Sequence, residues 1–144
     1  MRRTLLTCTV LVAAASAVVA QSDPISTRRN IMKGVGGATR TGTQMVRGET
    51  PFDLAKAQEV LKTYATAAGT VHEHFPENSK TGGETTAAPA IWANQAEFRG
   101  RFDAWAKDID AAAASTKDLD SFKAAFGNVT KACGSCHQTY RVKT

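Results

Sequence analysis

"LDSFKAAFGNVTKACGSCHQTYR", residues 119–141, repeats Leu119, Phe122, Phe126, Val129, Cys133, Cys136 and Tyr140 at steps of three, four, three, four, three and four. A helix brings such positions onto one stripe, and an unbroken heptad stripe is a seam along which helices pack. Both cysteines lie on that seam. The spacing therefore predicts that they face an interior covered by other helices.

Three more helical stretches precede it. Asp23-Pro24 supplies a cap residue and a proline at the first helical position, so a first helix runs from there to about Val46, where Arg47-Gly48 ends it. Thr50-Pro51-Phe52-Asp53 repeats the start signal, and the second helix carries Leu54, Leu61, Ala65, Ala68 and Val71. Between about Phe75 and Ala90, "FPENSKTGGETTAAPA" breaks the pattern with two prolines and two glycines, a long loop of the kind that usually has a task. The third helix opens near Ile91 or Ala93 and places Phe98, Phe102, Trp105, Ile109 and Ala112 on one face. Ser115 or Thr116, with Asp118 and Asp120 in the first turn, starts the fourth. Four such helices, with only one long link, predict an all-α antiparallel up-and-down four-helix bundle.

Gly34, Gly36 and Gly37 sit oddly in the first helix, since each costs about 1 kcal/mol relative to alanine. Two readings stand: a loosely wound helix, or a place where something bulky approaches the backbone. They do not form a dinucleotide fingerprint, because Thr39 occupies the third glycine position and no strand precedes.

Residues 1–20 have the layout of a secretory signal: a basic "MRR", an apolar stretch and a small-residue cleavage site at Val18-Val19-Ala20. The exported product, residues 21–144, is expected to be one domain with no membrane-spanning run. Without Arg2 and Arg3, 16 of the 18 basic residues remain against 13 acidic ones, a net charge near +3 that gives no reason to expect nucleic acid. Cys8 leaves with the signal, so Cys133 and Cys136 remain in an oxidising compartment. A disulfide between them would close a very small loop and restrain little, which points to chemistry or to a held group.

Cys133-x-x-Cys136-His137 is the pattern of c-type haem attachment. Two thiols three apart on a helix reach one edge of a porphyrin, and the adjacent imidazole can turn onto its iron. In a chain of this size the pattern arises by chance on the order of once in a thousand. A zinc site would need a fourth ligand, and His72 and His74 alternate rather than share a helical face. A thiol–disulfide site would expect the motif at a helix N-terminus, where the dipole lowers a thiol pKa, and here it lies at a C-terminus.

With these residues in view, the sequence resembles the cytochrome c′ family. The resemblance runs through "RRNIMK", "RGETPFD", "FPENSKTGGETTAAPAIW" and "FGNVTKACGSCHQTYR" in order, over essentially the whole of residues 21–144. It implies one haem c, held by thioethers at Cys133 and Cys136 with His137 on the iron, in a periplasmic protein. It further implies Arg28 and Arg29 near the haem, Thr85 and Thr86 as loop contacts to it, and Arg141 packed on the imidazole side. Many relatives have a basic residue at or near Thr86. The resemblance also implies a homodimer through the first two helices, to which Thr39, Thr43, Met45 and Val46 would give a partly apolar outer face.

Met32 matches the position that looks onto the distal side of the haem. A methionine there either stands beside an open, five-coordinate high-spin iron or binds it as sixth ligand. The long loop resembles the high-spin branch, which favours a protein that binds NO or CO and transfers single electrons. The alternative is a low-spin His/Met electron-transfer cytochrome serving small periplasmic redox proteins. No nucleophile–base pair suggests an enzyme.

Overall fold

The computed structural model describes residues 23–142; the expected signal segment, with Cys8, and Lys143 and Thr144 lie outside the described residues. Five α-helices follow in order: α1 (Pro24–Val46), α2 (Leu54–Thr70), α3 (Ala90–Ala93), α4 (Gln95–Ser115) and α5 (Leu119–Tyr140). α1, α2, α4 and α5 form the four-helix bundle, with α2 packed on α1 and α4, and α5 closing the ring against α4 and α1. Among the described residues no helix is long and apolar enough to cross a membrane.

The capping side chains explain where each helix begins. Asp23 accepts from the Ser26 amide at 2.9 Å and opens α1 immediately before Pro24. Asp53 accepts from the Lys56 amide at 3.0 Å and is itself the cap of α2, so that helix starts later than a cap at Thr50 would place it. Asn94 breaks the expected third helix in two. Its side chain accepts from the Glu97 amide at 3.1 Å, which leaves α3 as a single turn and starts α4 afresh. Asp118 caps α5 in a reciprocal box with Ser121, rather than Ser115 or Thr116. Thr116 points backward instead, donating to the Ala112 carbonyl at 2.8 Å. Each such cap contributes about 1 kcal/mol.

The core is aromatic. Tyr64 is fully buried at the crossing of all four long helices, with ring centroids 5.5 Å from Trp105 and 6.4 Å from Phe126. Thr39 Oγ1 donates to the Val35 carbonyl at 2.8 Å, which spends its one proton. The Tyr64 hydroxyl therefore donates to Thr39 across 2.7 Å. The apolar stripe of α4 is buried as the spacing predicts, from Phe98 through Ala112. Leu54 is not; it projects from the first turn of α2, and Phe52 takes the inward position against Phe122.

Two expectations for α1 are corrected. Met45 is 1% exposed and belongs to the core, and the Thr39 hydroxyl is tied inward to Tyr64, so neither contributes to an outer face. The three glycines are exposed, and a Cβ on any of them would meet no protein atom within 4 Å. The close approach is at Gly42, where an added Cβ would lie 2.3 Å from the Phe126 ring.

The long loop is organised. It leaves α2 through a 3-10 turn over Val71–His74, makes another over Glu77–Ser79, and reverses at Gly82 and Gly83, both with positive φ. Residues 86–88 then lie antiparallel to the end of α5. The Val142 amide donates to the Thr86 carbonyl at 2.9 Å, and the Ala88 amide donates to the Tyr140 carbonyl at 3.0 Å.

Candidate functional site

The last turns of α5 carry Cys133, Cys136 and His137 along one wall of an open-sided cavity of about 160 Å³. Ala132 and Ser135 complete that wall. α4 supplies the facing wall with Arg101, Phe102, Ala104, Trp105 and Asp108, and α1 supplies Met32 and Val35. Trp105 is fixed there by its indole N–H, which donates to the Val129 carbonyl at 3.1 Å. Both thiols are free and half-buried, and burial pushes their pKa values up. Burial, with a smaller contribution from the Arg141 charge, pushes His137 down, toward the neutral imidazole that can ligate a metal.

The remaining sequence-predicted residues divide between this cavity and the loop. Met32 reaches the cavity from α1 and packs against the core. Arg28, one turn earlier, goes elsewhere. It is buried, at 4% exposure, and its guanidinium donates to the His74 carbonyl (2.9 Å), the Ser79 hydroxyl (2.8 Å), the Ser79 carbonyl (2.9 Å) and Thr85 Oγ1 (2.7 Å). Its central carbon lies 4.6 Å from the Phe75 ring centroid, a stacked cation–π contact. Those bonds use every Nη–H, so only the Nε–H remains for any other partner. Arg29 is exposed and ion-pairs with Glu84. Thr85 accepts from both Arg28 and the Ala87 amide, while Thr86 gives its carbonyl to the pairing with Val142. Arg141 is exposed and donates its backbone N–H to the His137 carbonyl at 3.3 Å.

The sequence reading missed the α4 wall as site residues. Trp105 and Phe102 could have been found there, because they share the buried stripe of a helix that must face α5. Arg101 could not, since an exposed arginine paired with Glu97 at 3.1 Å has no distinguishing signature.

The arrangement suits a covalently attached porphyrin. Two neutral thiols three residues apart and an adjacent neutral imidazole line one cavity whose inner surface is mainly Met32, Val35, Phe102, Trp105 and Ala132. Among the described residues no three His, Cys, Asp or Glu side chains converge on a point that could hold a bare metal ion. A zinc site needs such convergence; a haem, which offers its vinyl edge and its iron at separate places, does not.

Comparison with known proteins agrees. The family model for cytochrome c′ matches residues 23–141. A cytochrome c′ of Rhodopseudomonas palustris is 41% identical over 125 residues, 87% of this chain and 86% of that protein. A solved cytochrome c′ from this organism superposes with a TM-score of 0.83 at 40% identity, covering 86% of this chain and 99% of that one. A cytochrome c-556 of Rhodopseudomonas palustris is 34% identical over 147 residues, 99% of each chain. The nitric oxide complex of a point-mutant cytochrome c′ from Alcaligenes xylosoxidans superposes with a TM-score of 0.73 at 27% identity, covering 83% of this chain and 94% of that one. A bundle with Cys-x-x-Cys-His closing its last helix, matched along almost its whole described length, belongs to the cytochrome c′ family of periplasmic c-type cytochromes, which carry one covalent haem and act as electron carriers or gas binders.

Proposed function

We propose that this chain is an exported haem protein, not an enzyme, that binds NO or CO at a five-coordinate iron and passes single electrons. In this reading residues 1–20 direct export and are removed. Cys133 and Cys136 hold the haem as thioethers and His137 ligates the iron. When bound, the haem supplies an iron that takes up a diatomic gas and changes oxidation state by one electron. The protein's part is to orient and to exclude. α5 fixes the two sulfurs and the imidazole on successive turns, Trp105 and Phe102 give the facing wall of the cavity an apolar surface, and Arg141 favours the neutral imidazole.

The observation that carries the reading is the α1 side of the cavity. It consists of Met32 and Val35, neither of which donates a hydrogen bond. Such a face suits a neutral diatomic and does little for polarised O2. The nitric oxide complex of the Alcaligenes relative supports gas binding by this fold.

A second reading has its own observation: Met32 lines the same cavity as His137, and a cytochrome c-556 is among the relatives. Met32 would then be the sixth ligand of a low-spin carrier, with small periplasmic redox proteins as partners. A homodimer through α1 and α2 would use the shallow groove that Ile31, Gly34 and Ala67 line between them. The deciding measurement is the optical spectrum of haem-loaded ferric and ferrous protein before and after adding NO and CO. The open-iron reading expects a high-spin spectrum that each gas changes. A low-spin spectrum indifferent to both overturns it and establishes the second reading.

A further inference from the structure

We propose that Arg28 is a positioning residue that braces the two sides of the haem site against each other through the 74–88 loop. The inference rests on the reading above in one respect only, that Met32 and His137 address opposite faces of one haem. Arg28 and Met32 are four apart on α1, so one turn of rigid helix links them. From the guanidinium, two routes lead to the end of α5. In the first, Nη2 donates to Thr85 Oγ1 at 2.7 Å, and Thr85 Oγ1 also accepts from the Ala87 amide at 3.2 Å. That orients residues 86–88, whose pairing with residues 140–142 consists of the Ala88–Tyr140 and Val142–Thr86 hydrogen bonds. In the second, Arg28 stacks on Phe75, Phe75 packs edge-on against Phe98 with centroids 4.8 Å apart, and Phe98 packs edge-on against Tyr140 at 5.0 Å. Both routes end three to five residues beyond His137.

Arg28 joins α1 to acceptors 46, 51 and 57 residues away in sequence, and the segment it fixes is the one that holds the end of the helix bearing His137. The separation between the Met32 side and the His137 side therefore depends on Arg28. That separation decides whether a thioether sulfur reaches the iron or stands off it. A lysine cannot replace the arginine, because four acceptors disposed around a planar fork cannot be met by one ammonium.

The test compares haem-loaded wild type, Arg28→Lys, Arg28→Met and Gln58→Ala. Gln58 serves as the stability control, since its amide ties α2 to the Ala113 and Thr116 carbonyls at the α4–α5 turn, away from the loop. The brace expects one spin state in wild type and a mixture in both Arg28 variants. Where Met32 closes half the sites, the apparent CO affinity falls by about twofold. The Ala88 and Val142 amides should also exchange with solvent about tenfold faster in the Arg28 variants, and at the wild-type rate in Gln58→Ala. If both Arg28 variants keep the wild-type spectrum and CO affinity, or if Gln58→Ala gives the same mixture, the proposal is overturned. Should the Arg28 variants fail to take up haem, Thr85→Val, which removes one link of the first route, decides by the same criteria. A wild-type spectrum that no gas changes defeats the open-iron reading alone, because the brace is judged by whether the spin state, whichever it is, depends on Arg28.

Discussion

At the scale of a single side chain, the two readings proposed above differ at Met32, which lines the cavity, and the difference can be asked directly. Leucine has nearly the volume of methionine and costs under about 1.5 kcal/mol in such exchanges, so Met32→Leu keeps the fold while removing the sulfur. If the iron is open, haem-loaded Met32→Leu keeps the high-spin ferrous spectrum and binds CO as wild type does. A change from low to high spin, with CO binding gained, would show that the sulfur had been the ligand. Residues whose role is set by local covalent spacing were the legible ones. Cys133, Cys136 and His137 stand out because Cys-x-x-Cys-His is a contiguous pattern that is itself the signal of c-type haem attachment. Arg28 was legible only as a basic residue near the site. Its four acceptors are two carbonyls and two hydroxyls on a distant loop, and no local pattern in the sequence announces them.

Among the elements, α1 shows how far periodicity reaches and where it stops. The helix was legible from its caps and length, and its glycines were legible as an anomaly, but which glycine matters depends on a partner helix. A Cβ at Gly42 would press into Phe126, a core ring that Tyr64 and Phe122 hold on its other sides. Gly42→Ala is expected to lose about 1–3 kcal/mol to overpacking, more than the roughly 1 kcal/mol that helix propensity returns. Gly36→Ala, with no protein atom within 4 Å of the new methyl, is expected to gain about 0.5–1 kcal/mol. Thermal melts of the haem-loaded variants check the pair, and a stabilised Gly42→Ala would show that the Phe126 ring can give way. The other boundaries follow the same logic. The start signal placed the cap of α2 at Thr50, and the choice fell instead to Asp53, whose carboxylate reaches the Lys56 amide. Ser115 and Thr116 looked like caps for the last helix until Thr116 turned its hydroxyl back onto α4.

At the level of the whole bundle, Tyr64 is a polar side chain on which α1, α2, α4 and α5 meet, and its ionisation therefore reports on the fold. Burial raises its pKa from the ordinary 10.0 to about 12. The folded state thus holds the phenolic proton more tightly than the unfolded chain does. The stabilisation is complete below pH 10 and is lost as pH rises through about 12. Two pKa steps at 1.36 kcal/mol each put the effect at no more than about 3 kcal/mol. Tyr140, also raised by burial, shifts stability in the same direction, so the wild-type curve alone is ambiguous. Tyr64→Phe separates the two. It keeps the ring contacts with Trp105 and Phe126 and forfeits the Thr39 hydrogen bond, about 1 kcal/mol at neutral pH. Denaturant unfolding of haem-loaded protein, followed by circular dichroism between pH 7 and 12, should show wild type losing stability faster than Tyr64→Phe above pH 10. Thioether-linked cysteines do not titrate, so the difference between the two curves belongs to Tyr64. Parallel curves would mean that water reaches the phenol without unfolding, and that the four helices part more readily at their centre than its complete burial implies.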